Sequence, residues 1–198
     1  MNFERKYKIF NWGNFFMSAE NQANTSNHSQ NHRRIITLIE GALCVALSTV
    51  LTKLNLFSMP QGGSIDLELL PLILFAFRHG VKSGTGAGAV YGVVRIVTGA
   101  HIYYPVQAFL DYPLAFACAG VSGMKYKIPG LIIAALLQLL CHIVSGTVFF
   151  AEYAPAGESP FVYSLIYNAP IVILKYAISG AAAIFLCKAL ENALPANK

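Results

Sequence analysis

Apolar residues in this chain come in long runs broken by short polar or turn-forming segments. The runs are Ile35–Phe57, Ile65–Arg78, Val81–Thr98, Val106–Val121, Pro129–Phe150 and Phe161–Leu186. A helix that crosses a bilayer needs about 20 mostly apolar residues. Pro129–Phe150 is the cleanest match, and Ile65–Arg78 is the shortest. The pattern predicts an all-α integral membrane bundle of six transmembrane helices. The punctuation agrees. Pro60-Gln61-Gly62-Gly63 is a turn cluster, Arg78-His79-Gly80-Val81-Lys82 is a tight basic connection, and Pro105 can open a helix because proline is tolerated in the first turn. Gly84, Gly88 and Gly92 recur every four residues and line one helical face, a spacing that lets membrane helices approach closely.

Composition strengthens this reading. Of 198 residues, 56% are hydrophobic and only 12% charged, against about 25% charged in soluble domains. A surface facing lipid requires so few charges; a buried core does not. The net charge of +5 does not indicate nucleic acid, because the Lys and Arg residues fall at the ends of apolar runs. Residues 1–32 are polar, with Asn, Gln, Ser and His dominant from Ser18 onward, and lack the features of a secretory signal. They are expected to form a disordered cytoplasmic extension, with the aromatic stretch Ile9–Met17 suited to a membrane surface and residues 33–198 forming the bundle. Cys44, Cys118, Cys141 and Cys187 sit inside apolar stretches without a C-x-x-C pair, which argues against zinc and disulfides.

Basic residues near span ends set orientation. Arg33, Arg34, Arg78, Lys82, Lys125, Lys127, Lys188 and Lys198 fall on one side; Asp66, Glu68, Glu152 and Glu158 fall on the other, with Lys53 nearby. Both termini are therefore expected in the cytoplasm. The loops Pro60–Gly63, Gly99–Tyr104 and Glu152–Pro160 then lie outside.

Polar groups inside a membrane are costly, and usually face a cavity or a partner. Glu40, Asp66, Glu68, Arg78, Arg95, Asp111, His142, Asn168 and Lys175 are such groups. Glu40 and Arg78, close to span ends, are expected at the interface. Asp111, near Gln107 and Tyr112, is placed either to anchor a cation or amidine-like ring edge, or to form an internal ion pair with Arg95 or Lys175. His142 shares a helical face with Gln138, Ser145, Gly146 and Phe149, with Phe150 beside it. No second His or Cys stands at ligand spacing, so no metal is expected. Tyr153, Tyr163, Tyr167 and Asn168 cluster around the last external loop, either as an interfacial aromatic belt or as part of a site. There is no phosphate-binding G-x-x-x-x-G-K-[ST], and no H-E-x-x-H or G-x-S-x-G motif. Aromatic, amide and carboxylate groups without a nucleophile point to binding, not to an enzyme.

Several segments carry a family resemblance. They are Gly62-Gly63-Ser64-Ile65-Asp66-Leu67-Glu68-Leu69-Leu70-Pro71, Ala76-Phe77-Arg78-His79-Gly80-Val81-Lys82-Ser83-Gly84, Pro105 to Phe116, Cys141 to Phe150 with Tyr153-Ala154-Pro155, and Tyr163-Ser164-Leu165-Ile166-Tyr167-Asn168. Over roughly residues 35–190 the chain resembles the thiamine-specific substrate-binding (S) components of energy-coupling factor (ECF) transporters. The resemblance implies a prokaryotic plasma-membrane protein with a vitamin pocket near its external face. It also implies a membrane coupling (T) subunit and two ATPase subunits as partners, which use the ATP in place of any cofactor in this chain. By motif position, Asp111 would bind the aminopyrimidine, and Tyr112, His142, Tyr163 and Asn168 would make further ligand contacts. Phe150 and Tyr91 stand where the family can carry tryptophan, and this chain's only tryptophan is Trp12. Ala42 and Ala46 on the first helix are the candidate coupling contact. Two other classes compete. A stand-alone transporter of thiamine or a related small cation would move protons through Asp111 and His142. A membrane enzyme acting on a lipid head group would need a nucleophile or metal cluster, which the sequence lacks.

Overall fold

The computed structural model describes the backbone of residues 12–54, 57–58 and 63–193, and the side chains of residues 30–54, 57–58 and 63–189. Expectations resting on residues 1–11, on Pro60-Gln61-Gly62 and on Lys198 lie outside these residues. The chain divides into two units, residues 1–39 and 40–198. The first helix, α1 (Trp12–Leu51), begins in the first unit and ends in the second. From Trp12 the backbone is helical where composition suggests a disordered extension. Once a helix is nucleated, each added residue gains a hydrogen bond, so helix can run into a polar segment that would not nucleate one.

In the second unit α1 buries Gly41, Val45 and Ser48, one narrow stripe, and exposes Ala42, Leu43, Ala46, Leu47 and Val50. The wide apolar face thus points outward, the reverse of a water-soluble helix. The same inversion holds in α5 (Lys127–Phe149), where Gly130, Ala134, Gln138, Cys141 and Ser145 face inward and Ile132, Leu136 and Leu140 outward. Among the described residues, three helical stretches are long and apolar enough to cross a membrane: Gln30–Leu51, Lys127–Phe149 and Pro160–Ala189, the last within α6 (Pro160–Ala193).

The remaining predicted runs are also helical, with corrections at their ends. The first apolar run was expected to stay helical to Phe57, but α1 stops at Leu51. Phe57–Ser58 (β1) instead pairs antiparallel with Ser64–Ile65 (β2). Leu54 and Phe57 continue the hydropathy, so nothing apolar marks the helix end. The second run starts at Leu69, after Asp66 accepts the Glu68 N–H at 3.0 Å and satisfies a donor at the helix entrance. The second and third runs form two helical arms within α2 (Leu69–Val97), separated by a non-helical residue in the tight basic connection that the sequence indicates. The kink is at Gly80, whose φ of 80° and ψ of 178° would strain any residue with a side chain. Beside it, Glu40 accepts from Arg78 Nε at 2.9 Å and bonds His79 Nε2, tying α1 to the kink.

The fourth run is not one helix type. It comprises α3 (Pro105–Phe109), a π-turn (Leu110–Leu114), α4 (Ala115–Ala119) and a 3-10 turn (Gly120–Gly123). The glycine face of α2 packs on this tract. A Cβ on Gly88 would sit 2.1 Å from the Phe116 carbonyl oxygen, and one on Gly92 2.5 Å from Pro113 Cα. Leu69, Leu72, Ile73, Phe116, Leu131, Val172 and Tyr176 form the core. Polar groups are concentrated inside, not outside: Asp66, Glu68, Gln107, Gln138, Ser145, Ser164 and Lys175 are all buried.

Candidate ligand-binding site

All of those buried polar groups except Asp66 line a cavity of about 320 Å³. Two helices contribute residues at helical spacing. On α5, Gln138, His142, Ser145 and Gly146 line it; on α6, Ser164, Asn168, Ile171 and Lys175 recur every three or four residues along one face. The α3–π-turn tract adds Gln107, Asp111 and Tyr112, and α4 adds Phe116. Close packing of α5 on α6 depends on Gly146, where a Cβ would meet Ser164 Oγ at 2.1 Å. Ser164 Oγ in turn donates to the Ile143 carbonyl at 3.2 Å.

Asp111 stands at one polar end. Gln107 Nε2 and Ser145 Oγ each donate to its Oδ2 at 2.8 Å, and His142 Nδ1 lies 3.0 Å from its Oδ1. Gln107 is itself fixed, because its Oε1 accepts the Tyr103 N–H at 3.1 Å. Tyr112 donates to the His101 carbonyl at 3.2 Å, so the 98–104 loop is tied to the same tract. Aromatic rings wall the cavity. Phe150 meets Tyr103 edge-on at 5.4 Å and Tyr153 at 6.0 Å, and Tyr163 lies 5.9 Å from Tyr167. Asn168 spends its NH2 group on the Ser164 carbonyl at 2.9 Å.

The other polar end is an ion cluster. Lys175 Nζ donates to Glu68 Oε1 and lies 3.2 Å from Asp66 Oδ1. Arg95 Nε is 3.4 Å from Glu68 Oε2, which also accepts from Tyr91 OH and Thr52 Oγ1. Ser64 Oγ donates to Asp66 at 2.6 Å. Two acids face two bases, so the formal charges cancel. Lys175, Asp66 and Glu68 are paired and hydrogen-bonded, as buried ions require, whereas the buried Arg95 Nε lies within ion-pair range of Glu68 without a hydrogen bond among the described residues. Asp111 differs: its partners are an amide, a hydroxyl and an imidazole, none of them a permanent cation. An ion pair of Asp111 with Arg95 or Lys175, one of the two arrangements open from the sequence, is not formed, because both bases are committed to Glu68.

Of the residues singled out from sequence, Asp111, Tyr112, His142, Phe150, Tyr163 and Asn168 all line this one cavity. Tyr91 does not. It is fully buried behind the cavity, edge-on to Phe116 at 4.7 Å, with its hydroxyl on Glu68. Helical spacing placed it on the glycine-rich arm of α2, but could not say that Glu68 would claim its hydroxyl. Ala42 and Ala46 lie on the exposed face of α1, outside the cavity. Glu68, Arg95 and Lys175 line the cavity but were singled out only as costly polar groups. A signal for Lys175 existed, since it lies seven positions after Asn168 on the same helix face. Gln107, four residues before Asp111, was likewise detectable. Among the described residues no three His, Cys, Asp or Glu side chains gather as a metal site.

Comparison with known proteins bears on the family and the fold. The thiamine transporter protein family matches residues 38–194. The thiamine transporter ThiT of Bacillus subtilis (strain 168) is 36% identical over 176 residues, covering 78% of this chain and 90% of that protein. Its counterpart in Lacticaseibacillus paracasei is 26% identical over 190 residues, covering 80% and 94%. Among solved structures, ThiT from Listeria monocytogenes superposes with a TM-score of 0.73 at 26% identity, covering 80% of this chain and 97% of its own. The S component of a bacterial ECF transporter superposes at 0.58 with 22% identity and the same coverage, which is a likeness of fold. With the family match spanning nearly the whole helical unit, the chain belongs to the thiamine transporter protein family.

Proposed function

We propose that this protein is the thiamine-capturing S component of an ECF-type vitamin importer, and that the cavity around Asp111 holds the vitamin. The observation that carries the reading is the Asp111 carboxylate. It accepts from an amide and a hydroxyl and lies 3.0 Å from an imidazole, with no Lys or Arg paired to it, in an aromatic-walled cavity. A carboxylate so placed favours a cationic or amidine-like ligand, since an opposite charge nearby stabilises its ionised form. Thiamine offers both features, a thiazolium cation and an aminopyrimidine. Asp111 accepts from the pyrimidine amino group, with His142, Tyr112, Tyr163 and Asn168 orienting the ligand by hydrogen bonds. Phe150 and the neighbouring tyrosines face the thiazolium, an attraction worth up to ~2 kcal/mol when desolvated. A cavity of about 320 Å³ suits one small molecule.

In this reading the chain crosses the plasma membrane six times, with both termini in the cytoplasm and the cavity opening outside. A T subunit and two ATPases supply the energy, and the exposed Ala42/Ala46 face of α1 docks on them. Small residues there allow close approach of a partner helix. Calorimetry with thiamine and purified protein tests the capture step. Micromolar or tighter one-to-one binding supports it, and no binding in that range rejects it.

One observation favours a second reading. The direct contact of Asp111 with His142 at 3.0 Å could pass a proton. Vesicles holding this chain alone discriminate between the two. Uptake abolished by an uncoupler would establish proton coupling; no uptake without partners fits the S component.

A further inference from the structure

The turn that carries Asp111 has an unusual local geometry, and it is seated against another helix. Residues Leu110–Leu114 form a π-turn, with the Ala115 N–H reaching the Leu110 carbonyl five residues back. Pro113 sits inside it. Proline has no N–H for an α-helical bond to Phe109, so the ladder is already broken there. A π-turn amounts to one extra residue in an α-helix. It offsets the faces before and after it by about 100°, one residue's rotation. Asp111, in the first half of the turn, bonds Ser145 and His142 of α5, and Gln107, one turn earlier, donates to it. Phe116 and Gly120, after the turn, face the glycine-rich arm of α2.

The turn is pressed against α2 at one point. A Cβ on Gly92 would lie 2.5 Å from Pro113 N, Pro113 Cα and the Tyr112 carbonyl carbon. All three are backbone atoms of the turn, and normal carbon contacts are about 3.5–4.0 Å. The missing side chain at Gly92 therefore sets where this peptide sits, within two residues of Asp111. On the far side Asp111 is held by Ser145 and His142 of α5.

We propose that Gly92 is a positioning residue for ligand recognition: its contact with the Tyr112–Pro113 peptide seats the π-turn so that Asp111 meets its three partners and the ligand. The inference rests on the proposed thiamine site. It makes Gly92 part of the recognition machinery although it touches no ligand. Gly92→Ala must displace the turn by about 1 Å, more than the ~0.5 Å tolerance of a recognition geometry.

A double-mutant cycle tests this, with thiamine affinity measured calorimetrically on the full chain. Gly92→Ala is expected to weaken binding ~10- to 100-fold, the range for losing a hydrogen bond to a charged group. In an Asp111→Asn background the same substitution is expected to change affinity by less than about twofold, because coupled residues are not additive. Gly86→Ala is the control for placing alanine in α2, since a Cβ there meets nothing within 4 Å. It should bind as wild type. Should Gly92→Ala fail to fold, Pro113→Ala gives an independent arm. It restores the N–H, lets the turn close as α-helix, and should show the same loss and the same non-additivity. Unchanged affinity in Gly92→Ala, or an equal loss in both backgrounds, would overturn the proposal. A wild-type protein that binds no thiamine would instead contradict the proposed function, which is a distinguishable result.

Discussion

The Ser145 hydroxyl donates to Asp111 Oδ2 at 2.8 Å across 34 positions of sequence, joining α5 to the π-turn. It fixes one carboxylate oxygen without itself supplying a counter-charge. Ser145→Ala is therefore expected to preserve the fold while weakening thiamine binding ~10-fold or more. Titration calorimetry with a circular-dichroism control checks both halves.

The ion cluster predicts a stability effect in place of a recognition effect. Lys175 is buried against Glu68 and Asp66. Lys175→Met leaves two buried acids with Arg95 alone, and breaking such a pair typically costs about 3–5 kcal/mol. The unfolding midpoint should fall markedly. Lys175→Met combined with Glu68→Gln should recover part of the loss, because the orphaned charge is removed with its partner. Thermal unfolding in one detergent measures both; an unchanged midpoint in the single variant would contradict the pairing.

Tyr91 separates support from contact. Its hydroxyl bonds Glu68, and it does not line the cavity. Tyr91→Phe is expected to lower the unfolding midpoint, yet shift thiamine affinity by less than about threefold. A larger loss of affinity at unchanged stability would place Tyr91 in direct contact with ligand.

What was legible in the sequence follows from cost. Asp111, His142 and Asn168 stood out because polar groups in apolar helices need a shared cavity, and the structure gives them one. Partner choice was not legible. Glu68 and Lys175 are 107 positions apart, and no local spacing relates them. The end of α1 was also hidden. Leu54 and Phe57 are as apolar as the helix before them, although Phe57 belongs to a strand. The π-turn was signalled only by Pro113 within an apolar run, and a run length carries no information on helix type.

The Ala42/Ala46 face makes a prediction that leaves the cavity untouched. Ala42→Leu and Ala46→Leu, both on the exposed side of α1, should bind thiamine as wild type does. ATP-dependent uptake with the coupling and ATPase subunits present should fall. Full uptake by both variants would move the docking contact elsewhere on the protein.

The most direct test of the central claim is the thiamine affinity of the wild-type protein beside that of Asp111→Asn, titrated under identical conditions. The account predicts one-to-one binding by the wild type at micromolar concentration or tighter, and a loss of ~10-fold or more in the variant. No thiamine binding by the wild type, or equal affinity in the two proteins, would contradict it.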